Sequence, residues 1–403
     1  MASAVLTDRI STLTDNFLST HILSKISYRD VVRSSLLSQR WRFLWKKLPI
    51  LCFCHQDFEK QKDDMINAII NNALLHLDAH LYCLDLQVAM DNPRTADMNN
   101  WIRLAAEKQV ERMDLYISYR DPRTRLNAFS MAELGDCVFS CENLTALIVK
   151  FINLPRVPTN FGAFRYLKTL YFVGILNMDD AMLEDFMAVC PHLRNLGIRG
   201  CLELEHLNIR SSNLMYLNLG ILSPDISLQV ACPLLTEISL TDCEQHQGLI
   251  LLQEISRAES VKIINLQNYS KGNAINPGLP SITVLNGFPQ LEVLTMHGPC
   301  FQEMISDEIS VAQLILPNLK MVHAHIGPHK GGQSVNFLGF LLRNCPLIVT
   351  RVFLPKRCHK IIQKKLLDLG KEFSKSRLSI ATRRRSMKWN EFCQSCDKYN
   401  EYL

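Results

Sequence analysis

The sequence predicts an α/β chain in which three short helices precede a solenoid of repeats that build a parallel sheet. Two patterns support this prediction. Apolar residues recur at helical spacing within residues 13–47, and from about residue 80 a second apolar pattern recurs every 21 to 34 residues. Leucine makes up 60 of the 403 residues, which suits a core assembled from many copies of one short motif.

The bulk composition is that of a globular protein, with 47% hydrophobic and 21% charged residues. No apolar stretch approaches the roughly 18 to 20 residues that cross a bilayer, and the first residues do not resemble a secretory signal. We therefore expect no membrane partner and a location in the nucleus, the cytoplasm or both. The 14 cysteines are expected to be reduced thiols, buried as small apolar side chains.

The net charge of +5 is distributed unevenly along the chain. Residues 8–49 carry a net charge of +5, residues 50–355 carry −8, and residues 356–388 carry +10. Because the large middle part is acidic, the sequence does not predict a nucleic-acid-binding surface, and we expect no nucleic-acid partner.

The first predicted helix has an apolar face formed by Leu18, Ile22 and Ile26, which recur four residues apart. Trp41 and Trp45 lie one turn apart on the third helix and share a face. The predicted N-caps of the three helices are Thr14, Asp30 and Ser38. About forty residues cannot bury this much apolar surface alone, so the segment either caps the domain that follows or docks a second protein.

The order of residues in this segment is specific. Its parts are residues 8–13 (DRISTL), Phe17-Leu18, residues 21–24 (HILS), Val31-Val32 and residues 35–45 (SLLSQRWRFLW). Together they closely resemble the F-box in its plant form. This resemblance implies that residues 8–49 bind a Skp-type adaptor, which links the chain to a cullin scaffold and a RING protein.

The resemblance also implies which residues supply the adaptor contact and the core beneath it. These residues are Leu13, Leu18, Ile22, Leu23, Val31, Val32, Leu36, Leu37, Trp41 and Trp45. Two positions depart from the family pattern, which usually has Leu-Pro at both places. This chain has Leu13-Thr14 at the first and Ile26-Ser27 at the second. Thr14 can serve as a cap instead, so the start of the first helix should survive.

The second pattern has the form apolar, two residues, apolar, one residue, apolar. It begins at Leu81, Val110, Leu144, Leu167, Leu193, Leu214, Leu235, Val261, Leu291 and Leu319, with an extra copy at Leu204. The spacing is close to the 20 to 29 residues of leucine-rich repeats. We therefore predict a solenoid over residues 80–355, with a helical linker or cap at residues 50–79 between it and the N-terminal helices.

Alternation within each copy predicts a strand. In residues 193–198, Leu196 and Ile198 should point into the core, while Asn195 and Gly197 point outward. Stacked strands would form one parallel sheet on the concave face, and segments such as 180–189 and 335–344 would form helices on the convex face. Cys201 and its counterpart Cys243 occupy the position where the repeat prefers Asn or Cys.

The combination of these segments resembles the plant F-box/leucine-rich-repeat family. The Cys-Pro-x-Leu runs at 190–193 and 232–235 support the resemblance, as do residues 340–347 (FLLRNCPL), which look like the start of a so-called FBD ending. Residues 356–403 would then be a basic C-terminal segment whose residues 365–380 are only loosely similar to the rest of such an ending.

Three interpretations remain for the basic segment, which contains Arg383-Arg384-Arg385: a solvated helix, a nuclear localisation signal or a nucleic-acid contact.

The sequence predicts no metal or other cofactor. Cys393 and Cys396 form a single C-x2-C pair without a partner pair, and Cys52-Phe53-Cys54-His55 suits a buried strand better than a zinc site. No phosphate-binding loop or nucleophile motif is present.

From these observations we predict a non-catalytic substrate receptor of a ubiquitin ligase. Its N-terminal helices would bind the adaptor and its repeats would hold an unknown protein substrate. Two alternatives stay open: a repeat scaffold that acts without a ligase, and a receptor that needs a small molecule.

Overall fold

The computed structural model describes residues 10, 12–121, 132–223, 225–241, 245–255, 258–267, 282–297, 315–326, 331–345, 348–354, 360–372 and 377–382. The chain divides into two compact units, Met1–Leu234 and Leu235–Leu403, and each unit is described by itself. The predicted motif positions at Cys243, Arg383-Arg384-Arg385, Cys393 and Cys396 lie outside the described residues.

The three predicted N-terminal helical segments are confirmed, but their geometry is mixed. The first consists of helix α1 (Asp15–Phe17), a π-helical turn (Leu18–Ile22) and a 3₁₀ turn (Leu23–Lys25). The second is helix α2 (Tyr28–Ser34), and the third is a 3₁₀ helix (Trp41–Lys47). Such short and irregular helices depend on tertiary packing, because isolated helices of this length are unstable in water.

One of the three predicted N-caps is confirmed. The hydroxyl of Thr14 accepts a hydrogen bond from the backbone N–H of Phe17 at 3.3 Å. The prediction of Asp30 as a cap was wrong, because α2 begins earlier and Ser27 accepts the bond from the Asp30 N–H at 3.3 Å. The prediction of Ser38 was also wrong, since its side chain makes no cap bond and only its carbonyl accepts from Trp41 N–H.

The segment between these helices and the first predicted repeat contains a strand as well as helices. Its elements are β1 (Ile50–Phe53), α3 (His55–Phe58) and α4 (Asp63–Leu75). Helix α5 (Thr95–Glu107) packs beside α4 after the next strand. Trp101 of α5 is fully buried, and its indole N–H donates to the Asn67 side chain of α4 at 2.9 Å.

The first unit contains a parallel sheet in the order β1, β2, β3, β5, β7, β8, β10. Beyond β1, its strands are β2 (Cys83–Met90), β3 (Arg112–Tyr119), β5 (Ala146–Lys150), β7 (Thr169–Val173), β8 (Asn195–Arg199) and β10 (Tyr216–Gly220). Two small parallel pairs accompany it: β4 (Ala132–Glu133) with β6 (Ile152–Asn153), and β9 (His206–Arg210) with β11 (Ser227–Ala231). A 3₁₀ helix (Asp136–Ser140) and helix α6 (Asp180–Ala188) complete the unit.

The second unit contains a parallel sheet in the order β12 to β17. Its strands are β12 (Glu237–Thr241), β13 (Ile263–Gln267), β14 (Val293–His297), β15 (Met321–His325), β16 (Val349–Leu354) and β17 (Arg377–Thr382). Its helices are α7 (Gln245–Ile255), a 3₁₀ helix (Ile282–Gly287), α8 (Gly331–Asn344) and α9 (Lys360–Glu372). Strand β17 lies within the segment that the sequence assigned to the basic C-terminal end.

The predicted repeat positions agree with the strands throughout both units. Each of the eleven copies starts two residues before a strand, for example Leu81 before β2 and Leu319 before β15. The alternation is confirmed at β8, where Leu196 and Ile198 are fully buried and Asn195 is half-buried. Gly197 also faces outward, but the ring of Tyr171 covers it. The helices predicted at 180–189 and 335–344 are present as α6 and α8.

Candidate functional site

The N-terminal helices enclose an apolar core that they share with the start of the first sheet. The core side chains of these helices are exposed by 6% or less, and they are Leu18, Leu23, Tyr28, Val31, Leu44 and Leu48. Deep burial of each leucine contributes about 1.5–3 kcal/mol to folding. The short helices are therefore held together by packing, and they place a limited set of apolar side chains outside the core.

Backbone hydrogen bonds fix the helices to the first unit. The Asp78 N–H donates to the Lys46 carbonyl at 2.8 Å, which ties the third helix to the turn after α4. The Tyr82 N–H donates to the Pro49 carbonyl at 2.7 Å, beside the start of β2. Because β1 follows the third helix directly and pairs with β2, the helical module and the first strands share one core.

An ion cluster joins the first helix to the third. The Asp15 carboxylate accepts from Arg40 Nε at 2.9 Å and from Lys47 Nζ at 3.3 Å. The Arg40 guanidinium also donates to the Leu13 carbonyl. The hydrogen bond from Arg40 is the main reason that the pKa of Asp15 lies below its ordinary value. The sequence had placed Arg40 in a motif, but it did not predict this role in positioning the two helices.

Several large apolar side chains of the second and third helical segments, and of the turn between them, face solvent. We call this set the apolar patch, and its members are Val32 (42% exposed), Leu36 (87%), Leu37 (71%) and Phe43 (56%). Apolar side chains this exposed within two adjacent short segments are typical of a protein-binding surface. The Lys46 ammonium lies 5.9 Å from the centre of the Phe43 ring and 5.7 Å from that of the Trp45 ring, so the patch has a cationic border.

The structure divides the ten residues that were predicted to contact or support the adaptor into three groups. Fully buried residues are Leu18, Leu23 and Val31; half-buried residues are Leu13, Ile22, Trp41 and Trp45; exposed residues are Val32, Leu36 and Leu37. The sequence interpretation missed Phe43, which belongs to the patch, and Leu44, which belongs to the core. Exposed Phe17 and Ile26 were not among the ten either. The apolar spacing of the third segment could have indicated Leu44, but not the exposure of Phe43.

The outward face of the first sheet is the second candidate surface. Its polar side chains include Asp114, whose carboxylate accepts from Lys150 Nζ at 2.8 Å, and both side chains are largely buried. Farther along, the rings of Tyr171 and Tyr216 stack with their centres 6.4 Å apart. Asn218 lies beside them, exposed by only 6%, and its Oδ1 has no hydrogen-bond partner. Aromatic rings are common in protein-binding surfaces, but Tyr216 and Asn218 are largely buried within the chain itself.

Comparisons with known proteins match both regions of the chain. The F-box domain model matches residues 15–53, and a model described as FBD-associated F-box protein At5g56370, LRR repeats, matches residues 98–270. The first match covers the three helical segments and β1, and the second covers strands β3 to β13. The chain therefore contains an F-box segment and a leucine-rich-repeat segment.

Relatives of this chain include several F-box/leucine-rich-repeat proteins from Arabidopsis thaliana. F-box/FBD/LRR-repeat protein At5g56420 is 29% identical over 48% of this chain and 44% of its own length. FBD-associated F-box protein At5g56370 is 30% identical over 46% of this chain and 42% of its own length. F-box/FBD/LRR-repeat protein At1g13570 is 26% identical over 80% of this chain and 76% of its own length. The chain thus spans less than half the length of the first two relatives.

Two further findings concern the site's chemistry. Among the residues that the structure describes, no helix has the length and apolar character needed to cross a membrane. Within the same described ranges, no group of three or more histidine, cysteine, aspartate and glutamate side chains is arranged to hold a metal ion.

Proposed function

We propose that this protein is the substrate-recognition subunit of an SCF-type (Skp–cullin–F-box) ubiquitin ligase. The F-box binds a Skp-type adaptor, which connects the chain to cullin and RING protein. The repeats hold a protein substrate, and the chain contributes no catalytic group of its own. Its effect on the rate of ubiquitin transfer is proximity, because holding reactants together raises their effective concentration.

The apolar patch is the observation that carries this proposal. Leu36 and Leu37 lie almost entirely in solvent although the core of the same module is well packed. Covering each of these leucines with a partner would contribute about 1.5–3 kcal/mol. The F-box segment also carries a net charge of +5, which favours encounter with an acidic adaptor.

Adaptor capture with a patch variant tests the proposal. We expect Leu36→Asp/Leu37→Asp to lose capture of a Skp-type adaptor, because two carboxylates would replace the most exposed apolar side chains. The matched control is Leu202→Asp/Leu234→Asp, which places the same two charges at leucines of the repeats that are 53% and 52% exposed. Leu18 is unsuitable for this test because it is fully buried, and a charge there would unfold the module.

Thermal unfolding of both variants establishes that they remain folded. Equal recovery of the adaptor by wild type and Leu36→Asp/Leu37→Asp would overturn the assignment of the patch. If the folded wild-type chain captures no Skp-type adaptor at all, the protein acts as a repeat scaffold outside a ligase. Capture of a substrate only after addition of a small-molecule extract would identify it as a small-molecule-dependent receptor.

A further inference from the structure

Two thiols lie together where the F-box passes into the first sheet. Cys52 belongs to β1 and Cys54 follows the strand in extended backbone, with φ −86° and ψ 142°. Because alternate residues of an extended chain point to the same side, the two side chains share a face. Their Sγ atoms are 3.5 Å apart, and both residues are half-buried.

A carboxyl group faces the same pair. Cys52 and Asp85 are register partners in strands β1 and β2, and the Cys52 thiol donates to Asp85 Oδ2 at 3.4 Å. Gln87 Nε2 donates to both oxygens of Asp85, at 3.1 and 3.2 Å. Burial, followed by the nearby Asp114 carboxylate, raises the pKa of Asp85 to about 7. Near neutral pH this carboxyl group is therefore present in both its protonated and its ionised form.

The two thiols differ in acidity. The hydrogen-bonding contact between the Cys52 and Cys54 sulfur atoms is the main cause of a lowered pKa at Cys54. The same contact, together with burial and the Asp85 charge, raises the pKa of Cys52. Cys54 is therefore the thiol that forms a thiolate first, and a thiolate is the nucleophile in thiol–disulfide exchange.

We propose that Cys52 and Cys54 form a reversible dithiol–disulfide site that reacts with low-molecular-weight disulfides such as oxidised glutathione. The Cys54 thiolate attacks one sulfur of the small disulfide, forms a mixed disulfide and releases one small thiolate. The Cys52 thiol then passes its proton to the Asp85 carboxylate, and its sulfur attacks Cys54 Sγ. A Cys52–Cys54 bond forms, and the second small thiolate leaves. The protein is oxidised by two electrons and the small disulfide is reduced to two thiols.

The spacing of the chain allows this bond. Two residues of strand span about 6.6 Å between Cα atoms, close to the long end of the range for disulfides. A bond at the edge of that range is strained and readily reduced, which suits reversible chemistry. Cys52 lies in the strand that joins the F-box to the sheet. A disulfide here would therefore form in the segment that links the apolar patch to the outward face of the first sheet.

Peptide mapping of the full chain in glutathione buffers tests the site. The protein is equilibrated at increasing ratios of oxidised to reduced glutathione, and free thiols are then alkylated. The mass of the peptide containing residues 52–54 is measured by mass spectrometry. We expect this peptide to lose two hydrogen atoms and to escape alkylation, and added dithiothreitol should reverse the change. In Cys52→Ser, the reaction should stop at a glutathione adduct on Cys54.

Two further variants complete the test. In Cys54→Ser, Cys52 should react with glutathione far more slowly than Cys54 does in Cys52→Ser. Asp85→Asn should slow closure of the mixed disulfide on the order of 100-fold, the lower range for a general base. Buried Cys190 and Cys232 serve as internal controls that stay unmodified. If both thiols of the pair remain separately alkylated at every ratio, or if the two serine variants react at equal rates, the proposal is overturned.

Discussion

The ring of Tyr28 packs on the ring of Phe53, with their centres 4.9 Å apart and their planes at 48°. Tyr28 belongs to helix α2 of the F-box, and Phe53 is the last residue of strand β1. On its other side, Phe53 lies 6.2 Å from the Phe58 ring of α3. One fully buried side chain thus joins the N-terminal helices to the sheet.

Removing the Phe53 ring should destabilise the packing between the N-terminal helices and the sheet. We expect Phe53→Ala to lower the free energy of unfolding by about 3–5 kcal/mol, because a fully buried aromatic side chain leaves a cavity. Denaturant unfolding measures the loss, and hydrogen exchange should rise in both α2 and β1. The control is Phe43→Ala, at a ring that is 56% exposed, which should change stability by less than about 0.5 kcal/mol. A similar loss of unfolding free energy in both variants would contradict the role assigned to Phe53.

Asp85 should make stability depend on pH near neutrality. Its pKa in the folded state is raised to about 7, so between the ordinary aspartate pKa of 3.8 and about 7 the folded chain holds a proton that the unfolded chain has released. Stability from this group therefore falls as the pH rises through that window, with a slope of up to about 1.4 kcal/mol per unit. Asp85→Asn should flatten the dependence in denaturant titrations, and an unchanged slope would exclude Asp85 as its source.

Asp15 should have the opposite effect at acid pH. Since Arg40 and Lys47 lower its pKa, its contribution is complete above the ordinary value of 3.8 and is lost as the pH falls below it. Hydrogen exchange of residues 12–47 measured from pH 6 to pH 2.5 should show the first helix losing protection first. Arg40→Ala should remove this difference and expose the helix at all pH values. Equal protection in the two proteins would show that the ion cluster does not hold the helix.

Thr350 offers a stabilising substitution. It is fully buried in β16, and its hydroxyl oxygen Oγ1 has no hydrogen-bond partner. Thr350→Val keeps the shape and removes the unsatisfied group, so the free energy of unfolding should rise by about 1 kcal/mol. In the control Thr169→Val, the lost hydroxyl accepts a hydrogen bond from Asn195 Nδ2 at 2.9 Å, and stability should fall. A lower melting temperature for Thr350→Val would refute this interpretation.

Thr350 also explains why part of the sheet escaped sequence analysis. Strand β16 follows the pattern Leu347-x-x-Thr350-x-Val352, in which a threonine replaces the middle apolar residue. Strand β17 has Lys375 at the first position of the same pattern. The eleven intact copies were located to the residue, because the repeat needs three apolar side chains at fixed spacing to fill its core.

The sequence favoured a buried strand at Cys52-Phe53, but it did not assign this strand to the repeats, for a different reason. Leu48, Leu51 and Phe53 fit the repeat pattern, and all three are buried, but Leu48 also ends the helical module. Within that module, the sequence identified the apolar set without separating core from surface. Leu18 and Leu36 both occur at helical spacing, and only the packing of three short helices decides that one is buried and the other exposed.

The bonds from Asp78 to Lys46 and from Tyr82 to Pro49 have a consequence for geometry under the proposed function. A flexible tether would let a captured substrate sweep through a wide volume and offer many lysines for ubiquitin transfer. Here the chain passes from the third helix to the sheet within a few hydrogen-bonded residues. The distance from the adaptor to the first strands is therefore set by the fold. Under the proposed function, only substrate lysines at a suitable distance from the charged enzyme would accept ubiquitin.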